Sequence, residues 1–223
     1  DVWGRRLGSI FFGGGTPSLL SAHAIDTILT AVRTLLPIEH FAEITLEANP
    51  GTFEAQKFAD FRQAGINRLS IGIQSFNGMH LRALGRVHDD QQAHQAVKIA
   101  RENFDNINLD LMYALPGQTL EEARNDIETA CTQGVTHISA YHLTIEPNTL
   151  FHRYPPKLPD DEQAAAMQDM IEQITASHQY RNYETSAFAR PGKESRHNVN
   201  YWLFGDYLGI GAGAHSKISF ADT

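Results

Sequence analysis

The sequence predicts an α/β fold in which short apolar strands alternate with amphipathic helices. Five strand–helix units follow one another, each roughly 30 residues long, which is the size of a βαβ element. The strands are rich in apolar and β-branched residues, as expected of a parallel sheet whose two faces are both covered. These observations favour either a β/α barrel or a doubly wound open sheet, two architectures that the pattern alone does not separate.

Composition limits the partners that the chain can have. The 223 residues are 42% hydrophobic, enough for one sizeable core, and the net charge of −8 without a Lys/Arg run argues against a nucleic-acid partner. No stretch of about 20 apolar residues is present, so we do not expect a membrane protein. The single cysteine, Cys131, excludes an internal disulfide and points to a reducing compartment, so we expect a cytoplasmic location.

The predicted elements follow from local periodicity and from their end signals. The first helix begins at the N-cap Ser21 and ends before Pro37, the second is stopped by Gly65, and the last begins near Asp160. The predicted strands comprise residues 9–12, 44–46, 69–73, 107–112 and 137–143. The predicted helices comprise residues 21–36, 53–64, 79–84, 91–102, 120–133 and 160–178.

Polar residues recur where the predicted strands end. A run of three glycines, residues 13–15, follows the first strand directly, Glu47 ends the second, Gln74 ends the third and Asp110 lies in the fourth. The carboxyl ends of all strands of a β/α barrel open on one face, and the switch point of a doubly wound sheet has a similar effect. We therefore expect these groups, although distant in sequence, to line one cavity.

The residue types at these positions suit a small zwitterionic ligand. Glu47 could accept hydrogen bonds from an ammonium, Arg86 could pair with a carboxylate, and Gln74 and Asp110 could hold ribose hydroxyls. The glycines allow close approach of the backbone, and the spacing of a phosphate-binding loop is absent. An ammonium, a carboxylate and a ribose together describe S-adenosylmethionine (SAM).

An ordered set of motifs carries a specific resemblance. The segments FFGGGTPSLL, ITLEANPGT, INRLSIGIQSF, LGRVH, INLDLMYALPGQT, ISAYHLTIEPNT and YETSAFARPG follow one another along the chain. Together they resemble the radical SAM proteins of the heme chaperone HemW and oxygen-independent coproporphyrinogen III oxidase-like family. The resemblance implies a partial (β/α)6 TIM-like barrel whose first strand is absent from this chain. Residues 1–187 would form this barrel, and residues 188–223 would begin a C-terminal region packed on it.

The resemblance also implies cofactors. The family binds a [4Fe-4S] cluster through three cysteines of a C-x3-C-x2-C motif, which this chain lacks, so we expect the cluster ligands upstream of Asp1 and no metal ligand within these residues. Cys131 lies in a predicted helix far from any strand end, and we expect it to be a buried core thiol. No catalytic residue is assigned. The positions that match the family's SAM contacts are Gly14, Gly15, Thr16, Glu47, Gln74, Arg86 and Asp110.

The HNVNYW segment, residues 197–202, separates two functions within the family. This pattern is typical of HemW-type proteins and is associated there with heme, which implicates His197, Tyr201 and Trp202 as heme contacts. The resemblance therefore implies a chaperone that binds SAM and heme and delivers heme to a membrane-bound client protein. The alternative is an oxygen-independent coproporphyrinogen III oxidase. His142 and His215 are rival heme ligands, and His197 and Trp202 could instead be packing residues at the edge of the barrel.

Overall fold

A computed structural model describes residue 2, residues 4–52 and residues 55–220 of the chain. Within this part, seven strands form one curled sheet, a half-barrel, in the order β1-β2-β3-β4-β5-β7-β6. The first five pair in parallel, and β6 and β7 form an antiparallel hairpin on the edge of β5. The strands are β1 (Leu7–Phe12), β2 (Ile38–Ala48), β3 (Arg68–Gln74), β4 (Ile107–Tyr113), β5 (His137–His142), β6 (Arg181–Glu184) and β7 (Ala187–Ala189).

The helices begin at side-chain caps that the sequence encodes. Ser21 caps the first helix, and Asp89, Thr119 and Asp160 each form a capping box with the residue three positions later. The cap expected at Ser21 is confirmed, and of Asp160 and Asp161, both expected near the start of the last helix, Asp160 is the cap. The helices are α1 (Ala22–Leu35), α2 (Ala55–Ala64), α3 (Gly78–Ala83), α4 (Asp90–Asn103), α5 (Leu120–Thr132), α6 (Leu150–Arg153), α7 (Asp161–Ser177) and α8 (Arg196–Trp202).

The hydrophobic core lies between the convex face of the sheet and the helices around it. Alternate strand residues such as Leu46, Ile71 and Leu109 are fully buried against apolar helix residues such as Phe58 and Phe61. Cys131 of α5 belongs to this core and is 3% exposed, which confirms the prediction of a buried thiol.

The concave face of the sheet is polar, although the strands as a whole are rich in apolar residues. The residues that alternate with the core positions include Glu43, Arg68, Asn108 and His137, all buried. Arg68 lies 3.8 Å from the Glu43 carboxylate, and the others pair through hydrogen bonds. The interior of the half-barrel is therefore a polar network, whereas the apolar core is confined to the convex side.

The partial barrel and its five parallel strands are confirmed, with β2 beginning six residues earlier than residue 44. The hairpin β6–β7 and the short helices α6 and α8 were not predicted. The expected division after residue 187 falls inside β7, a strand of the same sheet. Phe53, the expected start of the second helix, and residues 221–223 lie outside the described residues. No helix in the described part is long and apolar enough to cross a membrane.

Candidate functional site

A cavity of about 310 Å³ opens at the carboxyl ends of the parallel strands. Its walls come from the turn after β1, the ends of β2 to β5 and the loop after α3. Among the sequence-predicted residues, Gly15, Thr16, Glu47, Gln74, Arg86 and Asp110 line it, whereas Gly14 is not part of the lining. The structure thus brings these distant positions together around one space, as the strand-end argument requires.

The glycine turn after β1 borders the cavity and contacts Glu47. Gly14 and Gly15 have φ angles of 77° and 63°, in the left-handed region that favours glycine. The Gly14 N–H donates to Glu47 Oε2 at 3.1 Å. Gly13 is required for space, since a Cβ there would lie 2.7 Å from the Phe11 ring. The turn therefore presents bare backbone beside a carboxylate.

Gln74 reaches the cavity from an unusual backbone conformation. Its φ is 67°, which a residue with a side chain rarely adopts and which the surrounding structure must hold. The next two residues supply that support: Ser75 Oγ donates to Asp126 Oδ2 at 2.6 Å, and the Phe76 N–H donates to Asp126 Oδ1 at 2.8 Å. A carboxylate on α5 thus fixes the turn that carries Gln74.

Arg86 is placed by the C-terminal turn of α3. Gly85 follows the helix with a φ of 68°, and its N–H donates to the Arg82 carbonyl at 3.0 Å. The Arg86 N–H donates to the Leu81 carbonyl at 2.9 Å, which completes the hydrogen bonds of a Schellman motif. This motif turns the chain so that the guanidinium of Arg86 lines the cavity.

Asp110 lies on the cavity wall and belongs to the polar network of the concave face. Ser70 Oγ donates to one carboxylate oxygen at 2.8 Å, and Asn108 Nδ2 donates to the other at 2.8 Å. Asn108 Nδ2 also lies 2.8 Å from Ser70 Oγ. The orientation of the Asp110 carboxylate is therefore fixed by its hydrogen bonds to Ser70 and Asn108.

The charges in the cavity are those of two acids and one base, all partly removed from water. Burial raises the pKa of Glu47, with a smaller contribution from the Asp110 charge, and the Gly14 N–H opposes the shift. Burial also raises the pKa of Asp110, against its hydrogen bonds from Ser70 and Asn108. Burial lowers the pKa of Arg86, which the Asp110 charge partly restores. Carboxylate and guanidinium groups at reduced hydration are suited to binding a ligand that carries both charges.

Several residues of the cavity were missed by the sequence argument. Four of them, Ser70, Gly72, Met112 and Tyr141, occupy alternate positions on strands already recognised, where a period-two count of polar and small residues would have found some of them. Tyr141 is half-exposed at the mouth, and burial raises the pKa of its phenol. Asn49 Nδ2 donates to Thr16 Oγ1 at 3.2 Å and so ties the glycine turn to β2. The additional lining residues are Pro17, Ala48, Asn49, Ser70, Gly72, Met112 and Tyr141.

The residues implicated in heme binding lie on α8, outside the cavity lining. The His197 ring stacks on Phe11 of β1 with ring centroids 4.3 Å apart, and Tyr201 meets its edge at 5.0 Å. Burial, and then the nearby Arg68 charge, lower the pKa of His197 below its usual value. Trp202 is 54% exposed, and its indole N–H donates to Glu184 Oε2 at 3.3 Å. The imidazole is therefore neutral at pH 7, and an exposed aromatic ring lies nearby.

The rival histidines occupy different places. His142 ends β5 at the open end of the sheet, 5.5 Å from the Tyr113 ring, and His215 is exposed in the segment after α8. Within the described residues, no group of three or more acidic, histidine or cysteine side chains could hold a metal ion.

Comparisons with known proteins identify the family of the chain. A family model of the radical SAM superfamily matches residues 2–130. The heme chaperone HemW of Escherichia coli (strain K12) is 53% identical over 98% of this chain, and that of Bacillus subtilis (strain 168) is 41% identical over 95%. The solved structure of coproporphyrinogen III oxidase (HemN) from Escherichia coli, described as a radical SAM enzyme, aligns with a TM-score of 0.81 and 26% identity.

The matches cover nearly all of this chain but only part of each relative. The chain spans 58% of the length of both curated relatives. It covers 53% of the solved oxidase chain, and 96% of its own length aligns there.

Proposed function

Because the chain belongs to the radical SAM superfamily, we propose that the cavity at the strand ends binds S-adenosylmethionine. Glu47 and the glycine turn receive the ammonium, Arg86 pairs with the carboxylate, and Gln74 and Asp110 hold the ribose hydroxyls. SAM together with a [4Fe-4S] cluster supplies one-electron chemistry. The cluster needs three thiolates, and the only cysteine here is buried in the core, so its ligands belong to residues outside these 223.

The convergence around one cavity is the observation that supports this proposal most strongly. Four separate segments bring two carboxylates, one guanidinium and one amide to a space of about 310 Å³, beside a bare glycine backbone. That volume lies at the small end of the usual range for ligand sites. The residues present thus fit a ligand that carries an ammonium, a carboxylate and a ribose.

For the whole protein we propose the role of a heme chaperone, which binds heme and delivers it to a membrane-bound client protein. Support comes from curated relatives with that name at up to 53% identity. Helix α8 adds the imidazole of His197, which is neutral at pH 7. Neutral imidazole is the form of histidine that ligates heme iron. Exposed apolar side chains near it, Trp202, Leu203 and Phe204, suit contact with a porphyrin.

A second candidate is an oxygen-independent coproporphyrinogen III oxidase, which removes two propionate carboxyls oxidatively. The specific observation in its favour is the alignment with the solved oxidase, at a TM-score of 0.81 over 96% of this chain. That likeness concerns the fold of the barrel, at 26% identity. The higher identity to proteins named as chaperones favours the first candidate.

One experiment separates the two candidates. The intact protein, with its cluster reconstituted anaerobically, is titrated with heme and then incubated with coproporphyrinogen III, SAM and a reductant. We expect saturable heme binding and no conversion to protoporphyrinogen IX, with an authentic oxidase run in parallel as the positive control. Robust conversion would establish the oxidase and overturn the chaperone proposal.

A further inference from the structure

A continuous chain of hydrogen bonds crosses the interior of the half-barrel from the cavity to α8. Asn108 Nδ2 donates to Asp110 at 2.8 Å, and Asn108 Oδ1 lies 2.6 Å from His137 Nδ1. On the other side of the ring, His137 Nε2 lies 2.7 Å from the Tyr183 hydroxyl oxygen. That oxygen accepts the backbone N–H of Ser195 at 3.2 Å, and Ser195 is the N-cap of α8.

The protonation state of His137 gives this chain one direction. Burial holds the pKa of His137 well below its usual value, so the ring is neutral at pH 7 and has one N–H and one bare nitrogen. Asn108 uses its amide N–H groups on Ser70 and Asp110, so its oxygen faces the ring and the histidine proton is on Nδ1. The bare Nε2 then accepts the Tyr183 hydroxyl. Every donor in the chain therefore points from α8 towards Asp110.

We propose that His137 is a positioning residue that links the cavity to α8, so that ligand binding at Asp110 and the ordering of α8 stabilise each other. The proposal rests on the proposed function, because it takes Asp110 as a SAM contact and α8 as the heme-binding segment. His137 is fully buried and touches neither ligand site itself. Its two ring nitrogens hold the Asp110 side through Asn108 and the α8 side through Tyr183.

Burial allows the hydrogen-bond chain to transmit a change, because Asn108, His137 and Ser195 are almost completely excluded from water. A buried polar group that loses its hydrogen-bond partner costs free energy. When Asp110 moves, its hydrogen-bonded neighbours therefore move with it and keep their hydrogen bonds. A second contact runs in parallel: Phe11 stacks on His197 and also lies beside Gly13 at the cavity. A test must therefore interrupt the hydrogen bonds and leave this stack in place.

The variant Tyr183→Phe interrupts the hydrogen bonds in this way, since it removes the Tyr183 hydroxyl and leaves the shape of the aromatic side chain nearly the same. Tyr180→Phe is the matched control, because Tyr180 is a buried tyrosine whose hydroxyl donates to the Val135 carbonyl at 2.8 Å, outside the hydrogen-bond chain. Amide hydrogen exchange is measured on the intact, cluster-loaded protein with and without SAM. In the wild type and in Tyr180→Phe, SAM slows exchange around Gln74 and in α8, in α8 by about fivefold or more.

In Tyr183→Phe, SAM still slows exchange around Gln74 but leaves α8 unchanged. The wild-type arm alone decides whether the two sites are coupled, whatever the stability of the variants. Slower exchange at the cavity with no change in α8 would overturn the coupling and leave the proposed SAM site standing. A full α8 response in Tyr183→Phe would show that the hydrogen-bond chain is not the route. If SAM slowed exchange nowhere, the SAM site itself would be wrong and the coupling would fall with it.

Discussion

Asp126 of α5 lies behind Gln74 of β3, and its carboxylate accepts hydrogen bonds from both residues that follow Gln74. Through these bonds a helix on the convex side of the sheet fixes a side chain in the cavity. Gln74 has a left-handed backbone that costs free energy, and the structure maintains it only where the surrounding contacts enforce it. A residue outside the cavity thus controls the geometry within it.

Replacing Asp126 by Asn should therefore weaken SAM binding. The asparagine oxygen can still accept the Phe76 N–H, but its N–H₂ group then faces Ser75, whose hydroxyl must accept instead of donate. The short bond from Ser75 to a carboxylate is thereby replaced by a weaker bond between neutral groups, at a cost of about 1–3 kcal/mol in stability. We expect the dissociation constant for SAM to rise about threefold to tenfold, measured by calorimetry on the intact protein. Glu128→Gln, on the exposed surface of the same helix, is the control and should change neither quantity. Unaltered SAM affinity in a destabilised Asp126→Asn protein would refute the positioning role.

The sequence predicted the part of this arrangement that depends on local signals. Caps such as Ser21 and the end of each parallel strand follow from residues within a few positions of one another. Asp126 fixes the backbone of Gln74 although the two residues are 52 positions apart. Such a contact has no signature in the local sequence, so only the folded structure reveals it. The hairpin β6–β7 was missed because its strands have four and three residues, too few for a periodic signal.

The polar concave face was missed for a different reason. The predicted strands were judged by their apolar content, and alternate polar residues such as Ser70, Asn108 and His137 were not considered as a second face. A period-two count would have separated the faces. It would not have predicted which polar groups pair, because that depends on the register between strands, for example Asn108 opposite His137.

The raised pKa of Glu47 predicts how SAM binding depends on pH. Burial and the Asp110 charge make Glu47 take up a proton at a higher pH than an ordinary carboxyl group does. SAM affinity should therefore fall on acidification, starting above the usual titration range of glutamate, because the ammonium loses its carboxylate partner. Glu47→Gln should bind SAM more weakly and lack this part of the pH dependence. SAM affinity is measured from pH 5 to 8 for the wild type, for Glu47→Gln and for Glu121→Gln, an exposed control that should behave like the wild type. If all three profiles were the same, Glu47 would not be the partner of the ammonium.

The same shift has an opposite consequence for the ligand-free protein. The pKa of Glu47 is higher in the folded than in the unfolded state, so its contribution to stability is complete below the unfolded pKa and is lost as pH rises through the folded pKa. Removing the charge should then stabilise the protein at neutral pH. We expect Glu47→Gln to raise the thermal midpoint at pH 8 in the absence of SAM, and a lower midpoint would contradict the assigned burial.

His197 should be required for heme binding and dispensable for SAM binding. His197→Ala removes the neutral imidazole of α8 but leaves the Ser195 cap and the cavity residues in place. We expect heme affinity to fall about tenfold or more, seen as a loss of the heme absorption shift on titration, with SAM affinity nearly unchanged. His142→Ala and His215→Ala serve as matched variants. If either of these lost heme binding while His197→Ala retained it, the ligand assignment would move to that histidine.

Cys131 should be chemically inert in the folded chain. It is buried, and desolvation raises the pKa of its thiol to about 12, so almost no thiolate exists at pH 8. Iodoacetamide should leave the native 223-residue chain unmodified and alkylate it fully after unfolding in guanidinium chloride. Anaerobic reconstitution of the same chain with iron and sulfide should give no cluster absorption. Stoichiometric native alkylation, or a bound cluster, would show that Cys131 is accessible as a ligand.

SAM binding to the intact, cluster-loaded protein is the measurement that tests the proposed site most directly. Arg86 supplies the one guanidinium in the described lining of the cavity. Arg86→Gln should raise the dissociation constant for SAM about tenfold or more, as expected for a lost charge-assisted pair. Arg124→Gln, which removes an exposed ion-pairing arginine of α5, should leave it unchanged. Equal SAM affinity in the wild type and in Arg86→Gln, or no SAM binding by the wild type, would contradict the assignment of this cavity.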